Sequence, residues 1–154
     1  MNHWLMKSEP DTFGIDTLAV LPRRTTAWDG VRNYQARNML RDSMKIGDTA
    51  FFYHSGCEIP GIAGIIRVVK EGYADKTAFD PKHHHFDPAS DPRAPRWFVV
   101  DVTLVRRFKR LIALEELRKH ADGALADLAV LRRGNRLSVT PVSKAEWDFV
   151  LTLE

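Results

Sequence analysis

Residues 49–69 read TAFFYHSGCEIPGIAGIIRVV, and this stretch decides the fold class. Residues 49–54 are rich in aromatic side chains, and residues 62–69 form a second apolar run with several β-branched side chains. Both runs are typical of buried strands. The glycine- and proline-containing segment from Gly56 to Gly61 predicts a loop that joins the two strands as a hairpin. A fold built around this hairpin is expected to contain a mostly antiparallel sheet.

The sequence on both sides of the hairpin predicts further strands and helices. Strands are expected at His3–Ser8, Trp97–Phe108 and Ser138–Val142. Helices are expected at Ile15–Leu21, Val31–Ser43 and Ala113–His120, around Leu125–Leu131, and after Ser143, which forms a capping box with Glu146. Strands and helices do not alternate as β-α-β units, which argues against a doubly wound nucleotide-binding fold. The pattern favours an α+β fold in which helices surround a small curved sheet or barrel of about five strands.

Composition predicts one domain in a reducing compartment. The 154 residues match the commonest domain size, and a single cysteine, Cys57, cannot form a disulfide within the chain. No signal peptide and no apolar run of about 20 residues is visible, so we expect a cytoplasmic protein without a membrane partner. The net charge is +3, but residues 93–136 contain 11 basic and 5 acidic side chains. This local excess suits modest attraction to nucleic acid, or a solvated face without a partner.

Signatures of catalysis and metal binding are weak. The glycines of Gly61–Gly64 lack the lysine of a phosphate-binding loop and are expected to let the strand curve or a ligand approach. His54 and Ser55 point to opposite faces of a strand, which argues against a nucleophilic site. The tract His83–His85 has side chains suited to zinc or nickel, but consecutive histidines in a proline-broken loop do not converge on one point by themselves. No cofactor and no metal site is therefore predicted.

A third group of residues combines flat aromatic faces with polar side chains at predicted strand and helix ends. Aromatic faces can stack a planar base, which contributes about 1–3 kcal/mol per base. Asn, Gln and Ser can read a base edge, and Arg can neutralise phosphate. For any one of the aromatics, burial in the core remains an equally good interpretation. The candidates for a base-binding pocket are Lys7, Ser8, Trp28, Asn33, Tyr34, Gln35, Tyr53, His54, Ser55 and Trp97.

Long motifs in this order resemble the EVE domain family across nearly the whole chain. The matching segments are WLMKSEP (residues 4–10), WDGVRNYQARN (28–38), GD (47–48) leading to FYHS (52–55), GIAG (61–64), WFVVDV (97–102) and RGNRLSVTPV (133–142). The resemblance implies a single PUA-like domain over residues 1–154, related to YTH domains, with a small, curved, mostly antiparallel β-barrel of five to six strands. It also implies a non-enzymatic reader of a modified base, notably a modified cytosine, that is associated with restriction or RNA-modification systems.

The resemblance also implies roles for individual residues. Lys7 and Ser8 should belong to the pocket, Trp28 should be a cage aromatic, and Asn33 should lie near the base edge. The strand end Tyr53–Ser55 should line the opposite wall, with Trp97 as a second aromatic wall. The residues expected to meet backbone phosphate at the rim are Arg32, Arg37 and Arg41.

Two alternative functions stay open at this point. Related PUA-like domains include small amidohydrolases that act on modified nucleosides, and Lys7 with Glu9 is the nearest approach to such a site. The basic region 93–136 could instead bind a protein. The base-reading hypothesis predicts that Trp28→Ala abolishes binding to modified oligonucleotides while the fold stays intact.

Overall fold

Six strands form one mixed sheet in the computed structural model, which describes residues 1–154. The strands are β1 (His3–Ser8), β2 (Thr25–Ala27), β3 (Thr49–His54), β4 (Gly61–Ala74), β5 (Phe98–Ala113) and β6 (Val139–Val142). Their spatial order is β2-β5-β4-β3-β1-β6. Only β1 and β3 run parallel, and the other four pairings are antiparallel. The predicted α+β class and mostly antiparallel sheet are confirmed, but the sheet is open, since the edge strands β2 and β6 do not pair.

The hairpin of β3 and β4 forms the centre of the sheet, and its glycines allow it to curve. The registers of β3 with β4 and of β4 with β5 shift at several bulges, which bend a sheet and increase its twist. At Gly64, an added Cβ would overlap the carbonyl oxygen of Arg106 on β5. The glycine therefore permits the close approach of the neighbouring strand, as the sequence suggested for curvature.

Apolar clusters cover both faces of the sheet. Phe51 belongs to one cluster and Phe52 to the other, because successive side chains of a strand point to opposite faces. The two clusters contain 18 and 13 buried residues, so the sheet is sandwiched between helices and loops. The ends of β1 and β3 thereby emerge from a rigid core.

The helices are short and lie on both faces. They are α1 (Pro10–Phe13), α2 (Ile15–Val20), α3 (Tyr34–Asn38), α4 (Leu114–Arg118) and α5 (Lys144–Leu153), with a π-helical turn at Met39–Ser43 and 3-10 turns at Pro22–Arg24, Lys76–Phe79 and Ala129–Leu131. The predicted capping box is confirmed: the backbone N–H of Ser143 donates to Glu146, and Glu146 N donates to Ser143 Oγ. No helix has the length and apolar character needed to cross a bilayer.

One prediction about local structure was wrong, and one strand was missed. The helix expected from Val31 begins only at Tyr34, because Asn33 is extended and its side-chain oxygen accepts the Ala36 N–H at 3.0 Å. Asp29 and Gly30, which as residue types are suited to cap a helix, do not cap this one, and Gly30 has a positive φ of 80°. Strand β2 was not predicted, because a three-residue strand shows no periodicity in sequence.

His54 makes the stability of the fold depend on pH. Its Nε2 accepts the backbone N–H of Ile15 at 3.2 Å, and burial lowers its pKa below the ordinary value. The unfolded chain therefore binds the proton more readily, and this residue lowers stability as pH falls below about 6.5.

His54→Gln keeps an acceptor but does not titrate. Urea unfolding at about pH 7.5 and about pH 5 should show a smaller loss of stability for the variant than for the parent, whereas equal losses would contradict this assignment.

Candidate functional site

Three cavities are lined by residues of the predicted site, and we name two of them by a tryptophan and the third by its arginines. The Trp28 cavity, of about 500 Å³, is lined by residues that include Lys7, Ser8, Phe13, Thr26, Trp28, Asp29 and His83–His85. The Trp97 pocket, also about 500 Å³, is lined by residues that include Arg32, Tyr34, Phe86, Arg96 and Trp97. The arginine cleft, of about 650 Å³, is lined by residues that include Lys7, Tyr53, Ser55, Arg118, Arg132, Arg133 and Asn135.

Trp28 is both a core residue and a cavity wall. Only 6% of its surface is exposed, and its ring contacts Phe52 edge-on with the ring centroids 5.3 Å apart. Phe13 approaches it at 6.5 Å, also edge-on. The backbone N–H of Trp28 donates to Val100 O on β5 at 2.8 Å, which continues the pairing of β2. The indole is therefore held rigidly where it meets the cavity.

Lys7 and Ser8 form the polar side of the Trp28 cavity. Ser8 Oγ donates to the carbonyl oxygen of Phe13 at 2.6 Å, so it retains acceptor capacity toward the cavity. Lys7 is partly buried, forms no ion pair within 4 Å, and has a pKa lowered by burial. Because Lys7 lines both the Trp28 cavity and the arginine cleft, it forms their shared wall.

Asp75 organises the segment that carries Trp28. This carboxylate is completely buried and accepts the Gly30 N–H at 2.9 Å and an Arg32 guanidinium N–H at 2.9 Å. Its other oxygen accepts both the backbone N–H and the hydroxyl of Thr77. Burial alone would raise the pKa of Asp75, but these hydrogen bonds outweigh it and the pKa is lowered. Asp75 was not predicted as a site residue. Its only local signal in the sequence is its position two residues before Thr77, a spacing at which an aspartate can accept the backbone N–H of the later residue.

The three arginines predicted to bind phosphate contact protein groups. Arg32 donates to Asp75 and, through its other terminal nitrogen, to the carbonyl oxygen of His85 at 2.7 Å. Arg37 donates to the carbonyl oxygen of Arg96 at 2.6 Å. Arg41 pairs with its exposed neighbour Asp42 at 2.8 Å. Phosphate binding by these arginines stays a prediction, and each would have to release or share these hydrogen bonds.

Tyr34 and Trp97 lie together, outside the Trp28 cavity. Their rings stack with centroids 4.9 Å apart, and Tyr34 is 52% exposed. Trp97 is buried, and its indole N–H donates to Asp87 at 2.6 Å. Asn33 and Gln35 are exposed at the start of the same helix and line none of the three cavities. The structure therefore separates this part of the predicted pocket from Trp28.

The residues expected opposite Trp28 lie on the other side of Lys7. Tyr53 and Ser55 line the arginine cleft, and burial raises the pKa of Tyr53 to about 12. His54 lines none of the three cavities and is bound to the backbone of α2. The Trp28 cavity is lined instead by His83–His85, which were not predicted as pocket residues.

The arginine cleft contains cations that the site prediction missed. Arg118, Arg132 and Arg133 are exposed, and none lies within 4.0 Å of a carboxylate. In contrast, Arg106 pairs with Glu154, and Arg107 with Asp16. The excess of basic residues in 93–136 was the signal, but the sequence does not show which arginines are neutralised by neighbours.

Comparisons with known proteins show the family of this chain. The EVE domain model matches residues 2–153. Thymocyte nuclear protein 1 of zebrafish (Danio rerio) is 49% identical over 99% of this chain and 72% of its own length, and the human protein is 48% identical over 99% and 74%.

Solved structures show the same fold. A crystal structure of human THYN1 in complex with DNA containing 5-methylcytosine has a TM-score of 0.94 at 48% identity, covering 99% of this chain and 97% of that one. A Pseudomonas putida protein has a TM-score of 0.92 at 46% identity, covering 98% of each chain. The chain therefore belongs to the EVE domain family.

Proposed function

We propose that this protein is a non-enzymatic nucleic-acid-binding domain that holds a modified cytosine in the Trp28 cavity. The observation that carries the proposal is the composition of this cavity. Phe13 and Trp28 offer apolar aromatic surface, while Lys7, Ser8 and Asp29 offer charged and hydrogen-bonding groups to a base edge. The complex of human THYN1 with 5-methylcytosine DNA supports the ligand class.

A base in this cavity must lie outside a duplex stack. Extruding it costs a few kcal/mol, which stacking on an aromatic side chain and edge hydrogen bonds must offset. A methyl group that fills an apolar corner adds about 1–3 kcal/mol. The cavity is therefore expected to favour the modified base modestly, and a single-stranded target over a paired one.

The arginine cleft is suited to the phosphate backbone beside the bound base. Arg118, Arg132 and Arg133 have no carboxylate partner, and guanidinium groups bind phosphate through two parallel hydrogen bonds. Lys7 separates this cleft from the Trp28 cavity, so one nucleotide strand can reach both. In this proposal the cavity supplies discrimination and the cleft supplies affinity.

Preference for the modified base is the direct test of function. A single-stranded oligonucleotide with one 5-methylcytosine should bind on the order of tens of fold more tightly than the same strand with cytosine. Fluorescence anisotropy at fixed salt measures both affinities. Equal affinity for the two strands would refute base reading in this cavity.

The double variant Arg132→Ala/Arg133→Ala tests the cleft. On a single strand, removing each arginine that binds a phosphate should reduce the magnitude of the slope of log K against log salt by about 0.7. The preference for 5-methylcytosine should be retained. Arg106→Ala/Arg107→Ala is the matched control, because it removes the same charge from arginines that already pair with carboxylates. The cleft has no special role if both double variants lower the slope equally.

A further inference from the structure

Asp29, His83 and His85 converge at the rim of the Trp28 cavity. Their candidate ligand atoms, one from each side chain, all lie within 4.8 Å of one another. Asp29 follows Trp28 after β2, whereas the histidines belong to the loop between β4 and β5. The sequence alone does not bring the histidines to one point, but the folded chain adds a carboxylate to them. We propose that these three residues bind a divalent transition metal of the zinc type.

His85 is held in place for this role. An added Cβ on Gly30 would overlap the imidazole ring of His85, so the ring packs directly on the glycine backbone. The carbonyl oxygen of His85 accepts a guanidinium N–H of Arg32, which is itself anchored on buried Asp75. The loop therefore reaches the Trp28 segment at a defined position.

The Nδ1 atom of His85 lacks a hydrogen-bond partner, and a bound metal would occupy its lone pair. It is buried and has no hydrogen-bond partner, and it lies 3.6 Å from an oxygen of Asp29. That separation is too long for a hydrogen bond but close to the spacing of two ligands on one zinc ion. Buried polar atoms are normally satisfied, so this atom points to a missing partner.

His83 completes the set after a small adjustment. Its Nδ1 accepts the backbone N–H of His85 at 3.0 Å, and metal binding through either ring nitrogen would displace this single hydrogen bond. Ligands at about 2.0–2.2 Å from a tetrahedral zinc lie closer together than 4.8 Å, so the side chains must move inward by about 1 Å. Asp29 is exposed and His83 only partly buried, so both have room to rotate.

The donor set determines the class of metal. Two imidazoles and one carboxylate suit Zn²⁺, and a three-residue set would leave a fourth coordination position open. Bound metal would tie the histidine loop to the segment carrying Trp28 and place a cation at the cavity rim. This inference rests on the geometry of the three residues and not on the proposed function.

Titration of the chelator-treated full chain with Zn²⁺ by calorimetry tests the site, with Co²⁺ absorption in the visible region as a second readout of tetrahedral coordination. We expect one ion per chain. His83→Ala and Asp29→Asn should each weaken binding by about 10-fold or more, since even outer-shell changes cost about 10–100-fold. Circular dichroism verifies that each variant is folded.

His84→Ala is the matched control, because His84 is exposed in the same tract and is not among the three converging residues. It should bind Zn²⁺ with nearly the affinity of the parent. Equal weakening by His83→Ala and His84→Ala would show only adventitious binding to a histidine tract and would overturn the proposal. Absence of saturable binding to the parent would overturn it as well.

Discussion

Asp75→Ala is expected to lower the free energy of unfolding by about 3–5 kcal/mol, because removing one partner of a buried ion pair leaves the other uncompensated. Arg32, whose side chain is 25% exposed, would be left without its carboxylate, and the Gly30 N–H without its acceptor. The segment carrying Trp28 would separate from the loop that follows β4. Binding of a 5-methylcytosine strand should therefore weaken together with stability.

Urea denaturation measures the effect of Asp75→Ala. Asp122→Ala is a suitable control, since Asp122 is exposed, and such surface changes usually alter stability by no more than about 0.5 kcal/mol. A decrease below about 1 kcal/mol for Asp75→Ala would mean that Asp75 does not organise the site as described.

Trp28→Ala is expected to destabilise the protein by about 3–5 kcal/mol, the usual cost of deleting a buried aromatic side chain. The indole is 6% exposed and packs against Phe52 and Phe13. That this variant stops binding while its fold stays intact remains a prediction, and the burial of the indole argues against the intact fold. Weaker binding by Trp28→Ala would report on the core as much as on the base.

Trp28→Phe is the better probe of stacking. Phenylalanine keeps an apolar ring against Phe52 and removes less buried surface, so it should cost clearly less stability than alanine. Equilibrium unfolding of both variants at one pH compares the two costs. Wild-type stability in Trp28→Ala would contradict the packing of this residue in the core.

Local sequence patterns predicted local structure well. The hairpin of β3 and β4 and the capping box of Ser143 were predicted because their signals lie within a few residues. The family motifs predicted a PUA-like β-barrel of five to six strands, and the structure has six strands. They did not show that the sheet remains open, since closure depends on two edge strands that lie far apart in sequence.

The candidate site was predicted as a set of residues but not as a geometry. Lys7, Ser8 and Trp28 share a cavity, whereas Tyr53 and Trp97 line two other cavities. Long-range packing decides which side chains of different strands and loops face one another, and it is not visible in residue order. The burial of Asp75 and the pairing of Arg32 were hidden for the same reason.

Photochemical cross-linking tests the central claim most directly, because it reports which cavity receives the base. A single strand with one 5-iodocytosine, whose iodine occupies the position of the methyl group, is irradiated in complex with the protein and the attached peptide is sequenced. Attachment at Trp28 or Phe13 is the predicted result. Attachment at Tyr34 or Trp97 in the Trp97 pocket, or at Tyr53 in the arginine cleft, would contradict it.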